Sequence, residues 1–400
     1  MSYLLDNVQF AGDENLCRLF LDGSLQKKVP LDQTINSDEY WDLEGRLVLP
    51  AFVELHTHLD KTYAQIDNSS GGLAGAIEAY REYKSRRSLI DVEKAATRAL
   101  FKAVSAGVTC LRSHVNAAGP EDVELINLLD EVRKRFAPMI DIQLVAMGSF
   151  GVAGESYIAT CIEAGADMIG GAPALQEEPY TAVARAVSLA AELEVPLDLH
   201  IDEHLKAEVC TLATLCDEIE KQNYEYCVTA SHCASLSLFS DDQLFRVTDA
   251  VHRLGINIVA LPVCNMVLLG GDTRPYVRGT APVSKLMGAG ANVCIGSDNV
   301  RDPFNPFGGY DPLRSLQISN ILEFQNSTEA IKSSLNLITD NARKAFDNDV
   351  VPGGDVVVLE SFDLLDALCD PPFCLATFKE GRRVFMREVK ETWVSEHTIK

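Results

Sequence analysis

The chain has 400 residues, and 35 Lys+Arg against 58 Asp+Glu leave a net charge of −23 at pH 7. A hydrophobic share of 47% with 23% charged residues excludes a disordered chain and predicts a sizeable core, and the length predicts two domains or one large domain with a smaller companion. The negative charge repels phosphate backbones and anionic headgroups, so no nucleic acid and no membrane partner is expected, and a small neutral or cationic molecule fits better.

Residues 1–49 read as short strands with turn punctuation: Tyr3 to Phe10, Leu16 to Leu21, and Trp41 to Val48 through Glu44-Gly45. The first six residues lack a basic region and meet Asp6 before any long apolar run, so they do not read as a signal peptide. Eleven irregularly spaced cysteines with no Cys-x-x-Cys predict reduced thiols and a cytoplasmic protein. The stretch Ile256 to Leu269, broken by Asn257, Pro262 and Asn265, is too short and too polar to span a bilayer.

From Leu49 the pattern changes to near-continuous apolar runs separated by helical periodicity. The runs are Ala51 to His56, Val108 to His114, Ile140 to Met147, Asp167 to Gly170, Val195 to Ile201, Tyr226 to His232, Ile256 to Leu261 and Asn292 to Asp298. Between them, Glu121 to Phe136 and Tyr180 to Leu193 show clear helix spacing. Eight such units predict an α/β fold, a (β/α)₈ TIM-type barrel over residues 50–351. Pro312 to Asp347 reads as helix, and strands return at Asp355 to Leu359 and Arg382 to Met386. The two β-rich ends, 1–49 and 352–400, are expected to pair as one small discontinuous β-sandwich.

Catalytic groups of such barrels stand at the C-terminal ends of the strands, and polar residues concentrate there. The first strand ends in His56-Thr57-His58, the second in His114, the fifth in His200-Ile201-Asp202-Glu203, the sixth in Ser231-His232 and the eighth in Ser297-Asp298-Asn299. His56 and His58 lie two apart, the spacing that turns two imidazoles to one side. His200 and Asp298, on the same rim, complete a candidate site of three imidazoles and one carboxylate with open positions. One such strand-end histidine is unremarkable as a hydrogen-bonded core residue; five such endings together are not. A metal held there turns bound water into a nucleophile at neutral pH. Glu203 is the natural carrier of the proton to a departing nitrogen, or else an N-terminal charge of the helix that starts near Leu205. His232 is placed to hydrogen-bond the nucleophile, and Asp298 to accept its proton as well as to bind metal. The glycines form no phosphate or dinucleotide fingerprint. The stretch from Leu268 to Gly279, after the seventh strand, is expected to cover the substrate.

Together, Leu47 to Asp60 (LVLPAFVELHTHLD), Leu197 to Glu203 (LDLHIDE), Val228 to His232 (VTASH) and Gly296 to Phe304 (GSDNVRDPF) resemble the amidohydrolase superfamily. The resemblance is to its cytosine deaminase branch and then to the triazine-degrading N-alkyl amidohydrolases, and runs from about residue 40 to the end. It implies one Zn²⁺ or Fe²⁺ on His56, His58, His200 and Asp298, with Glu203 and His232 handling protons. It also implies hydrolytic release of ammonia, or of an alkylamine, from a ring carbon, and a homo-oligomer. No lysine stands at the fourth strand to bridge two metals, and Lys61 is misplaced for that task, so a mononuclear site is favoured. Cytosine deaminases carry a glutamine after the third strand where this chain has Ala146-Met147-Gly148-Ser149-Phe150. They carry a second aspartate where it has Asn299, and an aromatic lid where it has Phe304. Ser149, Asn299 and Phe304 are therefore the expected substrate contacts, with a ring larger than cytosine or differently edged. The rival expectation from another class is a non-catalytic barrel scaffold.

Overall fold

The computed structural model describes residues 1–11, 13, 15–30, 33–64, 67–346 and 354–390. Five strands precede the barrel: β1 (Tyr3–Phe10), β2 (Cys17–Asp22), β3 (Leu25–Val29), β4 (Glu39–Asp42) and β5 (Leu47–Pro50). The expected strand from Trp41 to Val48 is thus two, because Glu44 (φ 53°) and Gly45 (φ 90°) turn the chain between them. β3 carries the alternation Leu-Gln-Lys-Lys-Val with little apolar content and was not anticipated.

Eight parallel strands then follow: β6 (Phe52–Thr57), β7 (Val108–Asn116), β8 (Asp141–Gly148), β9 (Met168–Gly171), β10 (Leu197–Ile201), β11 (Val228–His232), β12 (Asn257–Ala260) and β13 (Asn292–Ile295). They lie side by side in chain order, as eight βα units require. The barrel closes between β13 and β6 through one bridge, Thr57 to Asp298. Helices such as Pro120–Phe136 and Pro179–Leu193 cover the outside. Leu125, Ile126, Leu129 and Val132 of the first and Ala182, Val183, Ala186 and Val187 of the second are buried in the main core.

The single helix expected over Pro312 to Asp347 is broken into Pro312–Leu322, Thr328–Ser333 and Asp340–Phe346. Phe324 turns left-handed (φ 53°) and Ser327 caps a new start by accepting from the Ala330 N–H at 3.2 Å. Helix Asp340–Phe346 plugs the bottom of the barrel, where Ala342 and Ala345 pack on Val53, Leu55, Val259 and Leu261. Asp347 and the expected boundary at 351/352 lie outside the described residues.

The chain ends return to strands β14 (Val356–Leu359), β15 (Cys374–Lys379) and β16 (Arg382–Met386); β15 was not anticipated. β14 pairs antiparallel with β5, joining both ends into one mixed sheet ordered β16-β15-β14-β5-β1-β2-β3, with β4 also on β1. β1 bends at an irregularity between Leu5 and Val8, pairing with β4 before it and with β5 after it. The two halves fold onto a separate core of Leu5, Val8, Leu19, Leu21, Val48, Val356, Val358 and Phe378. No helix among the described residues is long and apolar enough to cross a membrane, and all eleven cysteines are free thiols.

Candidate metal centre and substrate pocket

Side chains alternate along a strand, and the inward face of β7 runs Cys110, Arg112, His114, Asn116. Cys110 joins the apolar bottom. Above it the buried Arg112 guanidinium donates to Asp198 Oδ2 at 2.8 Å, Thr229 Oγ1 at 3.1 Å, Gln143 Oε1 at 2.9 Å and the Ala345 carbonyl at 2.7 Å. Burial pushes the Asp198 carboxyl up, but His114 and Arg112 outweigh it and hold it below the usual carboxylate range. Asp198 Oδ1 accepts from Ser231 Oγ at 2.9 Å, and Ser231 Oγ lies 2.8 Å from His56 Nδ1. Since the serine proton goes to Asp198, His56 Nδ1 is the donor to Ser231, and the lone pair of His56 is on Nε2. The chain Arg112, Asp198, Ser231, His56 therefore fixes both the tautomer and the direction of the ring.

At the top of the barrel the expected ligands converge. Asp298 Oδ1 lies 3.6 Å from His56 Nε2 and 3.1 Å from His58 Nε2, and His58 Nε2 lies 3.4 Å from His200 Nε2. Ligand atoms about 2.1 Å from one ion stand about 3.4 Å apart in a tetrahedral shell, so the spacing suits a single metal. Burial, and then the neighbouring imidazoles, hold His56 far below the ordinary histidine range. Burial does the same for His200 and His58, with His114 next for the former and Lys61 for the latter. A neutral imidazole keeps a lone pair for a ligand, and His56 presents its own on Nε2. His56 Nε2 and both Asp298 oxygens have no hydrogen-bond partner among the described residues. Such a donor set fits a divalent cation. His56, His114 and Asp198 also gather closely, but Asp198 is already committed to Ser231 and Arg112.

The four groups whose ligand atoms all lie within 4.8 Å of one another are His56, His200, His232 and Asp298; His58 is not among them and joins through its contacts with Asp298 and His200. His232 Nδ1 accepts from the Asn265 amide at 2.9 Å, which puts its proton on Nε2, 3.9 Å from Asp298 Oδ2. A ring with that tautomer donates rather than ligates. Burial pushes His232 down to about 4, against the pull of Asp298. Glu203 Oε1 stands 3.7 Å from His232 Nδ1, and burial, then the Asp298 carboxylate, push Glu203 well above the usual carboxylate range. Asp202, by contrast, accepts from Thr211 N, Thr211 Oγ1 and Leu212 N; it starts the next helix and stays out of the site. His232 (φ 70°) and Asp298 (φ 59°) both take left-handed backbone, a conformation that costs energy in non-glycine residues and clusters at functional sites.

A pocket of about 180 Å³ opens on this centre, lined among others by His58, His200, Glu203, His232, Asp298 and Asn299. It is smaller than the roughly 300–1,000 Å³ that hold drug-sized ligands, so it suits one small ring or a fused pair. Phe304 lines it as expected, and Asn299 does so while its amide donates to Asp302 Oδ2 at 2.6 Å. Ser149 does not: β8 ends at Gly148, and Ser149 is exposed, its carbonyl and hydroxyl set against Gly154 of the following helix. Met147, two residues earlier, lines the wall instead, with Asn116, Lys61, Tyr80 and Leu175. The expected cover after the seventh strand is also corrected. Leu73, Ile77 and Tyr80 of helix Gly72–Lys84 line the pocket, while Leu268 and Leu269 pack behind them against Leu73 and Ala76.

The amidohydrolase family profile matches residues 93–367. The chain belongs to the amidohydrolase family. As an amidohydrolase it is a hydrolase of carbon–nitrogen bonds, which sets aside the non-catalytic scaffold. It is 30% identical over 282 residues to a pterin deaminase of Rhizobium rhizogenes, a match covering 68% of this chain and 64% of that enzyme. It is 26% identical over 367 residues to the N-isopropylammelide isopropyl amidohydrolase of a Pseudomonas species, covering 87% and 88% of the two chains. The crystal structure of 5-methylcytosine deaminase from Klebsiella pneumoniae with phosphonocytosine superposes with a TM-score of 0.90 at 25% identity, covering 98% of this amidohydrolase and all of that chain.

Proposed function

We propose that this amidohydrolase is a hydrolytic deaminase of a small amino-substituted N-heterocycle, with one divalent ion, Zn²⁺ or Fe²⁺, held by His56, His58, His200 and Asp298. The observation that carries this reading is the convergence of three neutral imidazoles and a carboxylate next to a protonatable Glu203 in a ring-sized pocket. When bound, the ion supplies a Lewis acid and a hydroxide nucleophile at neutral pH. Asp298 accepts a proton from the attacking water. Glu203 carries a proton to the ring nitrogen and the departing amine, as the raised affinity of its carboxyl for a proton permits. His232, with Nε2–H toward Asp298, stabilises the oxygen that adds to the ring. Asn299 and Phe304 hold the ring, with Asn116 able to read a carbonyl and N–H together.

The relatives named above act on pterin, 5-methylcytosine and an alkylated ammelide, which supports an amino-heterocycle and leaves ammonia and alkylamine as rival leaving groups. The deciding experiment is a release assay on metal-loaded protein over amino-pyrimidines, amino-triazines and pterins, with ammonia and amine measured separately. Ammonia release from at least one ring supports the deaminase; amine release alone turns the reading to the N-alkyl enzymes. No release of either from any ring would overturn both.

A further inference from the structure

The pocket holds a cation that this chemistry does not use. Lys61 and Thr62 turn back onto the His58 carbonyl through their N–H groups, at 3.3 and 3.0 Å, and the Lys61 side chain lines the pocket beside Glu203 and Asp298. The residue is only 5% exposed. Among the described residues its Nζ meets no carboxylate within 4.0 Å. What it meets is two ring faces, with centroids at 4.9 Å for Tyr80 and 5.5 Å for Phe304.

Both faces are fixed from behind. Tyr80 Oη donates to Asp60 Oδ2 at 3.1 Å and accepts from Arg87 at 2.7 Å, while Arg87 also donates to the Asp60 carbonyl. Phe304 is held through its N–H, which donates to Asp302 Oδ1 at 2.9 Å. Asp60, Glu203 and Asp302 stand close enough to feel the charge of Lys61, but none closes to an ion pair with it. Aromatic faces offset part of the desolvation of a buried ammonium, and a charged hydrogen-bond acceptor offsets far more. In a chain of net charge −23, a positive charge standing open to the substrate is a recognition element rather than a general field.

We infer that Lys61 selects a heterocycle carrying an anionic oxygen, from an ionised ring lactam or from a carboxylate substituent, and rejects a cationic ring. The inference rests on the reading of this pocket as the site of deamination, and it departs from the neutral or cationic partner expected from net charge, because a local cation and not the overall charge faces the substrate. Lys61 is then a specificity residue: it touches substrate away from the reacting carbon.

The test is calorimetric titration at pH 8 of metal-loaded Glu203→Gln protein, a background that binds rings with turnover suppressed. The probes are cytosine, which is neutral; ammelide, whose ring lactam ionises; and cytosine-5-carboxylate. At least tenfold tighter binding of one anionic probe over cytosine is expected, and the probe that wins identifies the source of the charge. Adding Lys61→Met should bring that preference below threefold, and Lys61→Arg should retain most of it. Competition by the same probes in the unaltered protein reads the preference with no substitution at all. Binding of all three within threefold of one another, or equal weakening of all by Lys61→Met, would overturn the inference. Anion preference without release of ammonia or amine from any ring sinks the deaminase reading alone. Release from neutral rings without anion preference sinks the Lys61 inference alone.

Discussion

The backbone N–H of Asp298 donates to the carbonyl of His56 at 2.7 Å, so two proposed ligands of one ion are also joined across the seam where the barrel closes. Glu54 secures the same seam from within. Its buried carboxylate accepts from the N–H of His56 at 3.1 Å and from that of Ser297 at 3.0 Å. Burial pushes its pKa up to about 7, against the pull of those two donors. Glu54→Ala leaves both N–H groups without a partner in the interior, at roughly 1–3 kcal/mol for each. Thermal unfolding and metal stoichiometry should fall together in this variant. Lost stability with full metal content and unchanged affinity would show that the seam and the centre are independent.

A second prediction concerns the chain from Arg112 to His56. Ser231→Ala removes the acceptor that fixes the His56 tautomer, yet touches no ligand atom. Loss of such a supporting contact typically costs 10- to 100-fold in metal affinity. The measurement is a competitive chelator titration of the purified protein. Affinity within twofold of the unaltered protein would leave the relay as packing only.

What could be read from the residues follows from how strands present side chains. Buried parallel strands are apolar on both faces, so eight runs stood out, and histidines at their C-terminal ends marked the rim. The same alternation places Asp198 two residues before His200 and Asn116 two after His114, a signal present in the chain but unused. Glu54 was illegible for a different reason: flanked by Val53 and Leu55, it reads as an outward polar residue, and only the seam supplies its buried donors. Ser149 was misplaced because a motif position was carried over past the end of β8, where alternation stops. β15, with the run CLATFK, is buried on both faces and shows no alternation, whereas the covering helix Gly72–Lys84 was legible from Leu73, Ile77 and Tyr80 at helix spacing and went unused.

Removal of the metal should abolish turnover, and one divalent ion per chain should restore it. Asp298→Ala should fail to recover under the same reloading, because it deletes the carboxylate that His56 and His58 face. Metal analysis by mass spectrometry checks the count. Two tightly held ions per chain would contradict the mononuclear centre.

Glu203→Gln keeps the shape of the side chain and removes the proton carrier. Metal content should be unchanged while kcat falls by about 10²-fold or more. Loss of metal instead would make Glu203 a ligand, and unchanged kcat would move the acid elsewhere.

The last prediction uses Asp302, which lies behind Asn299 and Phe304 and carries no proposed role in proton transfer. Burial pushes its pKa from 3.8 up to about 7, opposed by the Asn299 amide, the Asn305 N–H, the positive charge of Lys61 and the Phe304 N–H. A carboxyl whose folded pKa is raised binds its proton more tightly in the native chain than in the unfolded one. Its contribution to stability is therefore fully present below about pH 4, declines as pH rises, and is lost above about pH 7. A rise of about three pKa units corresponds to on the order of 4 kcal/mol across that window. Asp302→Asn removes this titration while keeping the side chain's size, so the stability of the unaltered protein relative to the variant should fall steadily between pH 4 and 7 and level off above. Chemical denaturation at matched pH measures the difference directly, and titrations shared by both proteins cancel from it. Parallel stability curves for the two proteins across this range would mean that Asp302 titrates with an ordinary pKa, and that the wall holding Phe304 over Lys61 carries a full negative charge throughout.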